Sequence, residues 1–350
     1  MRKYNVMHVM LNKGIGGMEE MFMNYNIALK DFCNVTSIID KNCKRKDLLT
    51  SQSLHVVELN NTFGMISAIF HLRSIAKKQK FDVVIAHGEY SLTLTRIALI
   101  GLSIRNISVR HTFFSSKLSA LKWRLKRDIS VVINKKLIAD IGENNTHVIY
   151  NVINCDLVSS LNDQDFRNHT IRIGFLGRIV QQKGIHFLVK ALGLLINKKG
   201  LNCELIIGGN GRYLKALKNL IKIYGLNDKV KFLDYIDNKE EFFNNIDIFC
   251  LPSLKEAFGL VIIESMARGV PVVASNIPGI DEIVIHEMNG LLFTPGDYHD
   301  LANKIEMLIT NKNKRNLFRY NALANIKQSY MMNRLQQDLY DLITNTVQEF

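Results

Sequence analysis

Residues 251–275 read LPSLKEAFGLVIIESMARGVPVVAS and carry two glutamates, Glu256 and Glu264, eight positions apart. The apolar run IDIFCL at 246–251 predicts a buried parallel strand, and PVVAS at 271–275 predicts the next one, so that the residues between them form a crossover helix. Ligands of such sheets bind beyond the carboxyl ends of the strands. We therefore expect Glu256 in a ligand-binding loop and Glu264 about one turn inside the helix.

The start of this helix is a candidate anion site. Phe258, Gly259 and Leu260 are predicted to open it. Main-chain N–H groups in the first turn of a helix have no partner within the helix and favour an anion such as a diphosphate. Taken alone, the segment fits better a solvated acidic loop residue followed by an ordinary helix glutamate.

A second motif lies about 80 residues earlier, in IRIGFLGRIVQQKGIHFLVKAL at 171–192. A strand is predicted to end at Gly177, and Arg178 and Lys183 follow it before an amphipathic helix. The planar guanidinium of arginine and the mobile ammonium of lysine together suit a diphosphate leaving group. Solvated basic residues near a helix start are an equally good interpretation of this motif by itself.

The two motifs, in this order and at this distance, resemble the nucleotide-sugar-binding half of retaining glycosyltransferases of family 4, which have the GT-B fold. Further matching segments are LIIGGNGRYLKAL at 205–217, VKFLDYID at 230–237 and MNGLLFTPGD at 288–297. The chain departs from many relatives at Asn210, where they carry Asp, and at Val152, where they carry Gly.

The resemblance implies transfer of a hexose or related sugar from a nucleoside-diphosphate donor, by family frequency a UDP-sugar, to a hydroxyl with retention of anomeric configuration. It implies no metal, because cations and the helix dipole neutralise the diphosphate. Catalytic roles fall on Glu256, His111, Arg178 and Lys183, and Glu264 would bind the nucleotide ribose. The implied donor-binding residues are Gly16, Gly17, Gly177, Arg178, Lys183, Gly209, Ile236, Glu256, Phe258, Gly259, Leu260, Val261 and Glu264.

The chain is predicted to be α/β, with two doubly wound Rossmann-like domains that face an interdomain cleft. Residues 1–155 form an acceptor-binding domain and residues 156–330 a donor-binding domain, while the family resemblance returns a helix at about 331–350 to the first. The predicted strands are 4–11, 34–39, 54–59, 81–86, 106–110, 129–133, 171–176, 203–208, 230–234, 246–251, 271–275 and 291–293.

Composition agrees with a folded two-domain enzyme. The 350 residues suit two cores, and 47% apolar content with only 4 prolines excludes a disordered chain. Five scattered cysteines indicate a reducing compartment and no structural zinc. The basic, apolar N-terminus lacks a cleavage site and is interpreted as a first core strand, and no uncharged apolar run is long enough to predict a spanning helix.

The loop NKGIGGMEE at 12–20 allows close backbone approach to a ligand at Gly14, Gly16 and Gly17. It resembles the family's glycine loop. A dinucleotide-binding fingerprint is disfavoured because Glu19 stands where it requires glycine. His111 follows a predicted strand and resembles a histidine that lies beside the reacting sugar in this family. The alternative is a histidine at a strand end whose hydrogen bonds are satisfied within the protein. Gly14, His87 and His111 are the predicted acceptor-side residues.

Basic charge is concentrated in the first domain, where residues 1–155 hold 22 Lys or Arg and 11 Asp or Glu. The segment at 117–130 spaces leucines as a helix does and surrounds Trp123 with Lys122, Arg124, Lys126 and Arg127. This pattern fits a helix on an anionic lipid surface as well as a surface helix that packs on its own core. A basic patch also suits nucleic acid, but no nucleic-acid-binding module is recognisable.

The resemblance further implies a cytoplasmic enzyme, peripheral on the inner face of the plasma membrane, that acts on a glycan or lipid-linked acceptor in cell-surface polysaccharide or lipopolysaccharide synthesis. The DxD sequence at Asp163–Asp165 falls in the predicted linker and is not interpreted as a metal site. Two alternatives stay open: a sugar-nucleotide epimerase on the same fold, and a non-catalytic partner in glycan assembly. The presence of Arg178, Lys183, Glu256 and Glu264 together argues against both.

Overall fold

A computed structural model describes residues 3–11, 16–43, 53–59, 62–113, 128–142, 144–158, 161, 170–236 and 238–348. The chain divides into two compact units. Unit 1 comprises Met1–Asn154 with Tyr330–Phe350, and unit 2 comprises Cys155–Ser329. Each unit is an α/β sandwich around its own parallel sheet.

The described part of unit 1 forms a seven-stranded parallel sheet in the order β3-β2-β1-β4-β5-β6-β7. Its strands are β1 (Tyr4–Met10), β2 (Cys33–Asp40), β3 (Ser53–Val57), β4 (Val83–His87), β5 (Arg105–Arg110), β6 (Ile129–Val132) and β7 (Thr146–Val148). Its first four helices are α1 (Gly17–Leu29), α2 (Thr62–Lys78), α3 (Gly88–Ala98) and α4 (Lys136–Ile141).

Strand β1 lies at the centre of this sheet because almost every residue of YNVMHVM can be buried, and its last five residues are buried. It pairs with β2 on one side and β4 on the other. The strand order reverses between β1 and β4, and such a switch point opens a crevice at the carboxyl ends of the two strands. Helices α1 and α3 follow these strands, which makes this edge the natural ligand site of unit 1.

Unit 2 repeats the plan with a six-stranded parallel sheet in the order β10-β9-β8-β11-β12-β13 among its described residues. Its switch point lies between β8 and β11, the strands that the two sequence motifs follow. The strands are β8 (Ile171–Leu176), β9 (Cys203–Gly208), β10 (Val230–Leu233), β11 (Ile248–Leu251), β12 (Val272–Ser275) and β13 (Leu291–Phe293). The helices are α5 (Ile185–Asn197), α6 (Leu214–Ile223), α7 (Lys239–Asn244), α8 (Leu260–Ala267), α9 (Tyr298–Thr310) and α10 (Lys312–Ser329).

The C-terminal helix α11 (Met332–Gln348) belongs to unit 1 rather than to unit 2, which precedes it in the chain. It packs against α1. The rings of Phe32 and Tyr340 meet edge to face at 5.3 Å, and the Tyr4 hydroxyl lies 3.3 Å from the Thr344 hydroxyl. Unit 1 is therefore closed by residues from both ends of the sequence.

All five cysteines are free thiols, and four of them are buried. Among the described helices, none is both long and apolar enough to cross a membrane.

Candidate functional site

The two motifs of unit 2 lie in direct contact. The Lys183 ammonium forms an ion pair with the Glu256 carboxylate. The backbones of the two loops are also joined, because the Leu254 N–H donates to the Gln182 carbonyl at 2.8 Å and the Gln182 side chain donates to the Lys255 carbonyl at 3.1 Å. Loops about 70 residues apart in sequence thus form one surface beyond β8 and β11.

A glycine makes this contact possible. Gly184 follows the short 3₁₀ turn Gln181–Lys183 and adopts a left-handed backbone with φ +66°. A Cβ at this position would lie 1.8 Å from the Pro252 carbonyl oxygen. The approach of the two loops therefore requires glycine, and it fixes the position of Lys183.

Lys183 and Glu256 are partly accessible. Their side chains are 17% and 18% exposed, respectively. The Ser253 hydroxyl lies 3.5 Å from the same carboxylate oxygen that binds Lys183. A ligand can therefore reach a cation and an anion held side by side.

Turns that contain glycine follow β8 and β9. They place main chain without a covering side chain next to the loops that carry Lys183 and Glu256. The Gly177 N–H donates to the Gly208 carbonyl at 3.0 Å. Gly209 has φ +117°, and a Cβ there would lie 2.1 Å from the Gly177 carbonyl oxygen. Arg178, which follows Gly177, is exposed. The Asn210 side chain stabilises the turn in which it lies, because its oxygen accepts from the Gly211 N–H at 2.7 Å.

Ile236 lies beyond β10 and contributes to the lining of an open cavity of about 830 Å³. Asn238 and Phe242 line the same cavity, and Asn238 caps α7 by accepting from the Glu241 N–H at 3.1 Å. The predicted donor-binding residue at this position thus borders a recess at the edge of the sheet.

Helix α8 begins at Leu260, two residues later than the sequence predicted. Gly259 has a left-handed backbone, with φ +95°, and caps the helix, while Phe258 before it is buried. Leu260 and Val261 form the start of the first turn, where N–H groups have no intrahelical acceptor. The sequence missed this start because only the backbone angle at Gly259 separates loop from helix.

Glu264 is buried inside α8, with only 4% of its surface exposed. Its carboxylate pairs with the Lys239 ammonium at the start of α7. Its main-chain carbonyl accepts from the Arg268 guanidinium at 3.2 Å. Sequence reasoning missed Lys239, and nothing in the surrounding NKEE distinguishes that lysine from a solvated one.

In unit 1, Gly16 and Gly17 begin α1. Gly16 is the N-cap residue, and its N–H donates to the Glu19 carboxylate at 3.0 Å. Glu19 is buried and also donates its own N–H to the Gly16 carbonyl at 3.1 Å. The glutamate that disfavours a dinucleotide fingerprint thus accepts from the N-cap N–H at the start of this helix. The predicted residue Gly14 lies outside the described residues.

Three buried histidines meet at the carboxyl ends of β1, β4 and β5. The Nε2 atoms of His8 and His87 are 2.8 Å apart, and His87 Nδ1 lies 2.9 Å from His111 Nε2. His8 stacks on Phe22 at 4.0 Å, and Tyr25 covers the edge of His87 at 4.8 Å. The sequence indicated His87 and His111 but not His8, although a polar residue in an otherwise apolar buried strand is a usable signal.

Burial keeps these histidines neutral. It lowers the pKa of His8 to about 3 and the pKa of His111 to about 3, the second with a further contribution from the Arg110 cation. Burial also holds the pKa of His87 well below its ordinary value, with smaller contributions from His8 and His111. Arg110 itself is buried and pairs with Glu89 at 3.5 Å. Near neutral pH the three rings therefore exchange hydrogen bonds as uncharged imidazoles.

The proposed membrane-surface residues Lys122, Trp123, Arg124, Lys126 and Arg127 lie outside the described residues, as does the Asp163–Asp165 segment. Where the structure does describe the chain, no three His, Cys, Asp or Glu side chains are grouped so as to hold a metal ion.

Comparison with known proteins relates unit 2 to one family model. Residues 161–324 match the model described as glycosyl transferases group 1. The chain is 28% identical over 239 residues to an uncharacterized glycosyltransferase of Methanocaldococcus jannaschii, covering 65% of this chain and 59% of the relative. It is 27% identical over 183 residues to the capsular polysaccharide biosynthesis glycosyltransferase CapM of Staphylococcus aureus, covering 52% of this chain and 48% of CapM. The matched regions thus span about half the length of these curated relatives.

A solved structure matches nearly the whole chain. The crystal structure of Anabaena HepE in complex with UDP and glucose superimposes with a TM-score of 0.85 over 98% of this chain and 100% of HepE, at 22% identity. Identity at this level establishes the fold alone. The predicted α/β GT-B fold is confirmed.

Proposed function

We propose that this protein is a retaining glycosyltransferase that transfers a sugar from a nucleoside-diphosphate donor, a UDP-sugar, to a hydroxyl of a glycan or lipid-linked acceptor. One observation carries the proposal: Lys183 and Glu256, from motifs about 70 residues apart, form an accessible ion pair beyond the switch-point strands β8 and β11. The match of residues 161–324 to the glycosyltransferase model supports it.

Departure of the diphosphate is the step that Lys183 and Arg178 would assist. Negative charge develops on the leaving group as the bond to the anomeric carbon breaks, and preorganised cations stabilise that charge. The start of α8 adds the N–H groups of its cap Gly259 and of Leu260 and Val261. These groups neutralise the diphosphate without a metal, and we propose that the reaction needs none.

Donor binding would rearrange the Lys183–Glu256 pair. The diphosphate competes with Glu256 for the Lys183 ammonium, and the carboxylate then accepts hydrogen bonds from the sugar hydroxyls. In that position Glu256 also stabilises positive character at the anomeric carbon. The buried Glu264 would accept from the ribose hydroxyls, held in place by Lys239.

Glycines would let the protein main chain approach the donor at close range, because they have no Cβ. We assign phosphate contacts to Gly16, Gly17, Gly177 and Gly209, and base contacts to the main chain at Ile236. On the acceptor side we assign Gly14 and His111, and we place His111 against the reacting sugar. His87 would act there through its hydrogen bond to His111, because its own ring is buried.

The acceptor is proposed to be a cell-surface polysaccharide precursor. CapM, one of the similar proteins, is named for capsular polysaccharide biosynthesis. The excess of basic residues in 1–155 would attract an anionic membrane that carries a lipid-linked acceptor. Co-sedimentation with vesicles containing an anionic lipid, compared with neutral vesicles, tests this part separately.

The donor site is tested by thermal shift with UDP-, GDP- and ADP-sugars. A ligand that binds only the folded state raises the melting temperature. We expect a shift with a UDP-sugar that is lost in Lys183→Ala and Glu264→Ala. Lys215→Ala, which removes an exposed lysine of α6, is the matched control and should keep the full shift.

Three outcomes separate the candidate functions. Release of UDP with sugar transferred to an acceptor supports the proposal. Conversion of the donor to an isomeric sugar nucleotide without UDP release indicates an epimerase. No shift with any sugar nucleotide contradicts the donor site and favours a non-catalytic partner.

A further inference from the structure

Helix α2 presents large apolar side chains to solvent. Phe63, Ile66 and Phe70 are 79%, 48% and 67% exposed, respectively. Because they are three and four positions apart, they lie on one side of the helix. The opposite side carries Ala68 and Leu72, which are buried in the core of unit 1. The apolar side that faces solvent is therefore additional to the one that packs α2 on the sheet.

The exposed apolar surface extends beyond these three side chains. At the start of α2, Phe63 and Val56 of β3 line a cavity of about 380 Å³. Near the end of α2, the Arg73 guanidinium donates to the Ala98 and Ile100 carbonyls at 2.8 and 2.7 Å, and so holds the end of α3 alongside. The Ile100 side chain is 68% exposed. Single exposed apolar residues are ordinary on a protein surface, whereas a contiguous set marks an interaction site.

The C-terminal end of the same helix is basic. Three exposed lysines lie in its last turn or just after it: Lys77, Lys78 and Lys80. No Asp or Glu occurs between Glu58 and Asp82. The Glu58 carboxylate is paired with the Lys41 ammonium at 3.4 Å, and Asp82 accepts from a main-chain N–H of β1 at 2.7 Å. The outward face of α2 therefore combines an apolar part with positive charge and contains no acid.

An anionic lipid bilayer fits both parts of this face. Apolar side chains of such a helix enter the boundary between headgroups and acyl chains, while lysines reach the anionic headgroups. Each cation near an anionic bilayer strengthens binding by about 5-fold. A second copy of this chain fits less well, because pairing two such faces would bury the lysines against apolar side chains or against each other.

We propose that the outward face of α2, together with the exposed end of α3, is a membrane-docking surface. The three exposed apolar side chains of α2 enter the bilayer, and the three lysines at its end bind anionic headgroups. This surface is distinct from the segment at 117–130, whose sequence pattern also fits an anionic lipid surface.

The position of this surface gives it a role in acceptor binding, and that role rests on the proposed function. Helix α2 follows β3 and so begins at the carboxyl edge of the sheet, the edge at which the crevice between β1 and β4 opens. The apolar part of the surface lies at this end of the helix. A lipid-linked acceptor anchored in the bilayer would thus present its hydroxyl on the crevice side of unit 1.

Co-sedimentation of the full-length protein with phosphatidylcholine vesicles, with and without phosphatidylglycerol, tests the surface without any donor or acceptor. We expect binding to the anionic vesicles. Phe63→Ser/Phe70→Ser should weaken it at least about 10-fold, because two apolar side chains no longer leave water. Lys77→Glu/Lys78→Glu/Lys80→Glu should weaken it at least about 100-fold, because three cations are replaced by anions. All five side chains are exposed, so both variants should keep the melting temperature of the parent protein.

Matched variants on α6 separate this surface from nonspecific adhesion and from net charge. Ile223→Ser removes an apolar side chain that is 78% exposed, and Lys215→Glu/Lys218→Glu/Lys222→Glu makes the same change in charge on exposed lysines. Both should bind anionic vesicles nearly as the parent protein does. Equal losses on α6 and α2 overturn the proposal, as does unchanged binding in the two-phenylalanine variant.

Two further outcomes would indicate a different partner or a different segment. Analytical ultracentrifugation that finds a dimeric parent and a monomeric two-phenylalanine variant assigns the face to a second copy of this chain and overturns the proposal. Vesicle binding that is lost in Trp123→Ser but kept in the two-phenylalanine variant assigns the contact to the 117–130 segment and also overturns it.

Rates of sugar transfer separate the docking surface from the proposed function. With an alcohol acceptor in solution, the two-phenylalanine variant should keep the parent rate, whereas with a lipid-linked acceptor in anionic vesicles its rate should fall at least about 10-fold. An equal fall with both acceptors contradicts the docking role. No transfer by the parent protein to either acceptor refutes the proposed function, and vesicle binding still decides the docking surface by itself.

Discussion

Mild acid should destabilise unit 1 through its buried histidines. The folded state holds the pKa of His8 and of His111 at about 3 because burial disfavours their charged forms. In the unfolded chain a histidine has a pKa of about 6.5. Between these values the unfolded state binds more protons than the folded state, so the free energy of unfolding falls as the pH falls below about 6.5.

The size of the effect follows from these two values. On lowering the pH from about 7 to about 5.5, proton uptake by the unfolded chain costs about 1.3 kcal/mol for each such histidine. His8 and His111 together therefore lower the free energy of unfolding by about 2.5 kcal/mol. His87 acts in the same direction.

Hydrogen–deuterium exchange of peptides from β1 and β4 measures this free energy within unit 1, separately from unit 2. His8→Gln should reduce the pH-dependent loss by about 1.3 kcal/mol, because one ionisable group is gone. His299→Gln, which replaces an exposed histidine of α9, should leave the loss unchanged. The same loss in His8→Gln as in the parent protein would show that His8 does not stay neutral in the folded state.

Three further predictions concern unit 2. Gly184→Ala should destabilise unit 2 by at least about 3 kcal/mol, measured by thermal unfolding, because the added Cβ would clash with the Pro252 carbonyl oxygen and strain the left-handed backbone. Gly200 has nearly the same left-handed φ but open space around it, so Gly200→Ala should cost only about 1–2 kcal/mol. Lys239→Met should destabilise unit 2 by up to about 3 kcal/mol, because it leaves the buried Glu264 without this cation. The double variant Lys239→Met/Glu264→Gln should recover part of that loss. A double variant as unstable as the single one would contradict the pairing of Lys239 with Glu264. Prior dialysis against EDTA should leave donor binding and turnover unchanged, measured by thermal shift and UDP release, and a loss that Mg²⁺ or Mn²⁺ restores would refute metal independence.

The sheet strands were predictable from sequence because each is a short apolar run in a regular α/β alternation. Twelve strands were expected at positions that match β1–β6 and β8–β13. The strand β7 (Thr146–Val148) was missed, since THV is short and its residues are only partly buried or exposed. Its place at the edge of the sheet comes from pairing with β6 rather than from its own composition.

The candidate site was predictable from sequence where the backbone conformation requires a glycine. Gly184 and Gly209 mark close approaches that no other residue permits, and Lys183 and Glu256 stand beside such turns. Lys239 was not predictable in this way, because its partner Glu264 comes from another helix and no glycine turn marks the contact. His8 stood out as a polar residue in an apolar strand, but its contact with His87 was not predictable, because that contact arises from the order of the strands.

The proposed sugar transfer is tested by following the donor with ¹H and ³¹P nuclear magnetic resonance, with a simple alcohol as the acceptor or with water as a slower one. We expect one nucleoside diphosphate released for each sugar transferred, a new anomeric bond with the donor's configuration, and a rate at least about 100-fold lower in Lys183→Ala. Inverted configuration, a donor isomerised with its diphosphate intact, or an undiminished rate in Lys183→Ala would contradict the proposed reaction.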